Sequence, residues 1–260
     1  MSENSVNKPT PIVKSSKRRF DVAKIIALPV WVFVSFVLAN IIIAIGLILL
    51  KQANIYTPDA SDAMFNTIVA TLVYVLTLSI TMGVPWLIRR RITSKTDLGL
   101  TRLPTWMDIL LAPAGAVVYL ILSGILVTLF SASFPQVDLQ QAQDVGFENL
   151  VGRSQYLLAF ITLVILAPLA EETLFRVYLY GKLRKSAPVW LAILTTSALF
   201  GLAHGQWNVG LDTFALSFIL CSLREVTGSI WAGVLLHMMK NGLAFYLLFV
   251  NPSLLSTLGG

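Results

Sequence analysis

Long uncharged apolar runs alternate with short polar stretches along most of the chain. The first run, Ile25 to Leu50, holds 26 residues without a charge, enough to cross the ~30 Å of bilayer hydrocarbon as a helix. Further runs fall at about Met64–Ile88, Ile109–Phe130, Gln155–Phe175, Val189–His204, Leu211–Leu223 and Ser229–Val250. This pattern predicts an all-α fold, a polytopic transmembrane helical bundle of about seven spans, with six to eight as the range. The sixth run is short for a span and is expected as a re-entrant or broken helix. The first run is too long for a signal-peptide core, and no small-residue cleavage site follows it, so it reads as an anchor that stays. Residues 1–24 are polar and basic and are expected to form a disordered cytoplasmic tail. Residues 25–252 are expected as a single transmembrane domain, since no internal repeat is evident.

Composition agrees with the pattern. Of 260 residues, 56% are hydrophobic and only 12% charged, about half the charged share of a soluble domain. The net charge of +6 is not a nucleic-acid signal, because the basic residues sit at the ends of apolar runs. The tail carries Lys8, Lys14, Lys17, Arg18, Arg19 and Lys24; the stretch 89–108 carries Arg89, Arg90, Arg91, Lys95 and Arg102; and Lys182, Arg184 and Lys185 follow the fourth run. The intervening loops hold only Lys51 and Arg153. By the positive-inside rule the N-terminus is cytoplasmic. The modest size and short loops suggest a bacterial cell membrane. A single cysteine, Cys221, excludes an intramolecular disulfide and a Cys-ligated metal site.

The candidate chemistry lies in the last hundred residues, at Glu171, Glu172, His204, His237 and Lys240. A charge at mid-bilayer costs ~2.5–3.5 kcal/mol on insertion scales, so such groups face a bundle interior or a wet cavity. Glu172 and Arg176 are i,i+4 and share a helical face, which allows an ion pair. Glu171 is turned by about 100° from Glu172, so one carboxylate is braced while its neighbour is free to face a cavity. Pro168 removes a backbone donor just upstream and is expected to bend the helix. His237 and Asn241 are also i,i+4. Counted at ~1.5 Å per residue from the cytoplasmic side, Glu171, His204 and His237 lie about 16–20, 24 and 14 Å deep, which allows one shared cavity.

A Glu and a His sharing a water can deprotonate it and aim it at a carbonyl, while a second His with an Asn can stabilise the oxyanion. Those are the parts of a peptide hydrolase that forms no covalent intermediate. The same groups offer an alternative: Glu171, His204 and His237 as a two-His, one-carboxylate zinc site. No His-Glu-x-x-His helix is present, and the reading that needs no cofactor is preferred.

The ordered motifs Glu171-Glu172-x-x-x-Arg176, Phe200-x-x-x-His204 and His237-x-x-x-Asn241 resemble those of the CPBP family. Its members include CAAX prenyl proteases and the bacteriocin-processing and self-immunity proteins called Abi. The resemblance covers about residues 155–245, with Leu98-Gly99-Leu100 and Trp106 similar to the family's lead-in. It implies an intramembrane endopeptidase acting on membrane-associated peptides or protein tails in a lipid bilayer. Carried over by motif, Glu171 and His204 would activate the water, His237 and Asn241 would form the oxyanion site, and Glu172 and Arg176 would support them. The alternatives are a non-catalytic immunity or scaffold protein on the same frame, and a proton-coupled transporter.

Overall fold

A computed structural model describes residues 20–57, 62–89, 102–139, 147 and 150–257. Much of the basic tail, with the Leu98-Gly99-Leu100 stretch, therefore lies outside the described residues. With no strand among the described residues, a short helix over Pro252–Thr257 is preceded by seven longer helical segments. They are α1 (Val22–Gln52), α2 (Ala63–Ile88), α3 (Trp106–Ser133), α4 (Arg153–Leu183), α5 (Val189–Leu202), α6 (Trp207–Thr227) and α7 (Trp231–Val250). Five of them (α1, α2, α3, α4 and α7) are long and apolar enough to cross a membrane. The chain is an integral, multi-pass membrane protein.

Local chemistry sets the helix ends. Asp21 accepts a hydrogen bond from the Lys24 amide and caps α1, so the helix begins three residues before the apolar run does. Asp62 caps α2 through the Met64 amide, and Thr105 with Asp108 forms a capping box on α3. Gly228, at φ +66°, closes α6 in the left-handed conformation.

The sixth segment differs from expectation. α6 has 21 residues, about 31 Å of helix, whereas α5 has 14 and reaches only about 21 Å. The short element is thus the fifth. Asn208, Asp212, Arg224 and Glu225 interrupt the hydropathy of α6 and hid its true length.

Packing is uneven, as expected where lipid replaces water around the bundle. α1 touches the rest mainly through a stripe of Val32, Ser35 and Ala39 and leaves most other large side chains outward. One core joins α1, α4, α5 and α6 around Phe175, Leu179, Phe200 and Cys221. A second joins α3, α6 and α7 around Tyr119, Leu216, Leu220 and Leu236. Cys221 is fully buried, matching a packed rather than reactive thiol.

Polar ties gather one set of ends on the same side. The Asp21 amide donates to the Ser186 carbonyl. Arg184 pairs with Glu225 at 2.6 Å, and Trp231 Nε1 donates to the Arg102 carbonyl at 2.8 Å. The start of α1, the lead-in to α3, the α4–α5 turn and the α6–α7 turn therefore share one end of the bundle. That is the alternation the charge pattern requires.

Candidate active site

α4 carries the two glutamates, and it is not a plain α-helix. Widened π-turns run over Ile161–Leu166 and Glu172–Tyr180, on either side of a short α stretch, Ala167–Glu171. Pro168 sits in that stretch and supplies no amide for the helical ladder. Such insertions change how successive side chains are fanned round the axis and recur at functional sites. Here the two neighbouring carboxylates separate. Glu172 is fully buried, while Glu171 keeps 17% exposure and lines a cavity of about 390 Å³.

Glu172 forms the inner support. Its Oε1 lies 3.2 Å from Arg176 Nη1, the ion pair expected from the i,i+4 spacing, and accepts from His237 Nδ1–H at 3.0 Å. The Arg176 guanidinium is 1% exposed and lies 4.5 Å over the Phe200 ring. A buried cation is tolerable there because it faces a carboxylate on one side and an aromatic π-face on another.

Glu171 forms the outer layer. Its Oε1 accepts from the Tyr74 hydroxyl of α2 at 2.8 Å. Its Oε2 stands 3.6 Å from His237 Nε2. That gap is too long for a direct hydrogen bond. His237 thus spans the two glutamates, one ring nitrogen to each.

His204 follows α5 and is turned back by Gly205, whose φ is +72°. Its Nδ1 bonds to the Phe200 carbonyl at 2.8 Å. A carbonyl only accepts, so Nδ1 carries the hydrogen and Nε2 of the neutral ring is left as an acceptor. Phe200 stands edge-on to both histidine rings, with centroids 5.0 Å from His204 and 5.9 Å from His237. Asn241 donates through Nδ2 to the Leu163 carbonyl at 2.9 Å, which fixes the amide and leaves one N–H uncommitted.

Glu171, His204, His237 and Asn241 all line the same cavity, with Glu172 and Arg176 behind it. The residues singled out in the sequence do converge. His204 reaches the shared wall but makes no hydrogen bond to Glu171. Two partners were missed. Tyr74 lies 97 positions from Glu171 in an apolar run with no local signal. Asp212 falls in the sixth run, paired with Lys240 at 3.2 Å and bonded by the Tyr119 and Ser123 hydroxyls. An aspartate in an apolar run was the available signal for it.

The zinc alternative can be tested against this arrangement. Zinc ligands lie about 2.0–2.2 Å from the metal, so three of them must converge on one point. Among the described residues no three His, Cys, Asp or Glu side chains do so. As arranged, Glu171, His204 and His237 do not fit a zinc site.

Comparison with known proteins adds an independent line. Residues 153–243 match the family model described as type II CAAX prenyl endopeptidase Rce1-like. This bears out, over that segment, the family resemblance read from the motifs. An Escherichia coli protein named "Uncharacterized 24.3 kDa protein" is 39% identical over 87 residues, 32% of this chain and 40% of the relative. A Bacillus subtilis protein named "Putative membrane peptidase YdiL" is 31% identical over 84 residues, 32% of this chain and 34% of the relative. A Lactococcus lactis protein named "UPF0177 protein YxdF" is 29% identical over 108 residues, 41% of this chain and 59% of the relative. The matched stretch thus spans about a third to three-fifths of these curated relatives. No solved structure matches the chain.

Proposed function

We propose that the chain is an intramembrane endopeptidase that hydrolyses peptide bonds of membrane-associated peptides or protein tails with a water activated by Glu171 and His204. The observation that carries this is the Tyr74-held carboxylate of Glu171 facing one cavity with both histidines and Asn241. The match to a CAAX endopeptidase family and the name of the Bacillus relative support the same reading.

In this mechanism the water gives its hydrogens to Glu171 Oε2 and His204 Nε2. Its oxygen bonds to the scissile carbonyl carbon as Glu171 takes the proton. The carbonyl π pair moves to oxygen, and that oxyanion accepts hydrogen bonds from Asn241 and from Nε2–H of a charged His237. The Glu172 carboxylate holds Nδ1 and so fixes the ring that presents Nε2 to the cavity. On collapse the C–N bond breaks, and Glu171 passes its proton to the departing nitrogen. A new carboxylic acid and an amine result. No metal takes part in these steps. The end that carries Arg102, Arg184 and Arg224 is the cytoplasmic one, in a bacterial cell membrane.

The test is cleavage of a quenched-fluorescent membrane-peptide library by purified protein, with and without chelator. Glu171→Gln and His204→Ala are expected to lose roughly 10²–10⁴-fold in rate, and His237→Ala or Asn241→Ala about 10²–10³-fold. Chelator should change nothing. Activity that is lost with chelator and restored by zinc would overturn the water mechanism. Wild-type protein that is folded yet inactive on every peptide would favour an immunity or scaffold role.

A further inference from the structure

Lys240 lines the same cavity as Glu171 and both histidines, yet no step of the hydrolysis needs an ammonium there. It is held, directly or through Asp212, from two other helices. Nζ stands 3.2 Å from Oδ2 of Asp212 on α6, and Asp212 Oδ1 accepts from the Tyr119 hydroxyl and from Ser123 Oγ (2.9 Å), both on α3. The two hydroxyls already solvate one oxygen of Asp212, so Lys240 is not its only stabilising partner. Both charged side chains remain partly open, 24% for Lys240 and 28% for Asp212. An ammonium has three N–H donors. Asp212 occupies one, and the other two have no protein acceptor among the described residues. A charge at this depth is costly, and one kept at a cavity wall is a candidate for contact with what enters the cavity.

We propose that Lys240 forms an anion-binding subsite of the cavity and takes a carboxylate of the bound peptide, one or two residues from the scissile bond. The spacing follows from the helix. Lys240 is three positions beyond His237, about 4.5 Å along the axis, and one extended residue covers about 3.3 Å. Among the described residues lining the cavity, Lys240 is the only lysine or arginine. Glu171 repels a carboxylate from the catalytic end and so directs it toward Nζ. The anion is either the peptide's own C-terminus or an Asp or Glu side chain. This subsite rests on the peptide-hydrolase reading.

The experiment uses the full chain carrying Glu171→Gln in lipid nanodiscs and reads binding by fluorescence anisotropy. Three fluorescein-labelled apolar hexapeptides share a sequence. One ends in a free carboxylate, one in a carboxamide, and one in a carboxamide with Glu at the penultimate position. At least one carboxylate peptide should bind about tenfold more tightly than the neutral one, and which one does so identifies the source. The preference should vanish in Lys240→Gln and in Lys240→Gln/Asp212→Asn, which leaves no unpaired carboxylate behind, and persist in Lys240→Arg. Equal affinity for all three peptides, a preference that survives the double substitution, or no binding of any peptide overturns the subsite. Cleavage assays on the wild-type chain run alongside. A carboxylate preference without cleavage sinks the hydrolase reading alone, and cleavage without preference sinks the subsite alone.

Discussion

At the scale of single residues, two neighbouring glutamates do different work because their surroundings differ. Glu172 is fully buried with Arg176 and His237 about it, whereas Glu171 has a tyrosine hydroxyl and an open cavity. Removing the Glu172 charge would strand a fully buried guanidinium, so Glu172→Gln should cost about 3–5 kcal/mol of stability. A thermal unfolding scan in detergent reads that loss, and Glu172→Gln/Arg176→Met should recover much of it. Tyr74→Phe removes the hydrogen bond that orients the Glu171 carboxylate while keeping the ring. It should lower kcat about tenfold with KM little changed, and an unchanged kcat would show that Glu171 is held by other means. Glu172 with Arg176, and His237 with Asn241, were legible in the sequence because each pair is one helical turn apart. Tyr74 was not, since its partner lies on another helix.

At the scale of elements, the site depends on departures from regular helix. The π-turns in α4 flank Pro168, and the Leu163 carbonyl that fixes Asn241 lies in the first of them. α5 and α6 approach closely where Gly201 faces Gly210. A Cβ at Gly201 would stand 2.7 Å from the Gly210 carbonyl oxygen and 3.2 Å from Phe214 Cβ. Backbone cannot yield there as a flexible side chain would. Gly201→Ala should therefore cost about 1–3 kcal/mol and reduce any activity, because His204 follows three residues later. Gly46→Ala on α1, where nothing lies within 4 Å, is the matched control and should be neutral in the same unfolding scan. The apolar runs announced α1, α2, α3 and α7 to within a few residues, and the fourth stopped at Phe175, eight residues short of the end of α4 at Leu183. They misjudged α6, because Asp212, Arg224 and Glu225 break the hydropathy of a helix in which neighbouring helices bond Asp212 and Glu225.

At the scale of the whole molecule, the bundle ends define an orientation that can be measured. With the Arg184 end cytoplasmic, a cysteine at exposed Lys185 should react with a membrane-impermeant maleimide only after cells are permeabilised. One at exposed Gln52 should react in intact cells. Cys221 is fully buried and should stay silent in both. The reverse labelling pattern would invert the membrane assignment and place the shared end of α1, α4 and α6 outside.

The sequence by itself determined that the chain crosses a membrane several times, because length and apolarity are local properties that lipid reads directly. It also determined which charged groups are costly enough to need a reason, and their order along the chain carried the family resemblance. Tertiary structure alone decided who meets whom. The hold of Tyr74 on Glu171 and the setting of Lys240 by Asp212, Tyr119 and Ser123 are contacts between helices, spaced up to 97 positions apart in the chain. Helical periodicity fixes which side chains share a face. Which face turns toward which neighbour is set by packing among all the helices at once, and no local pattern encodes that.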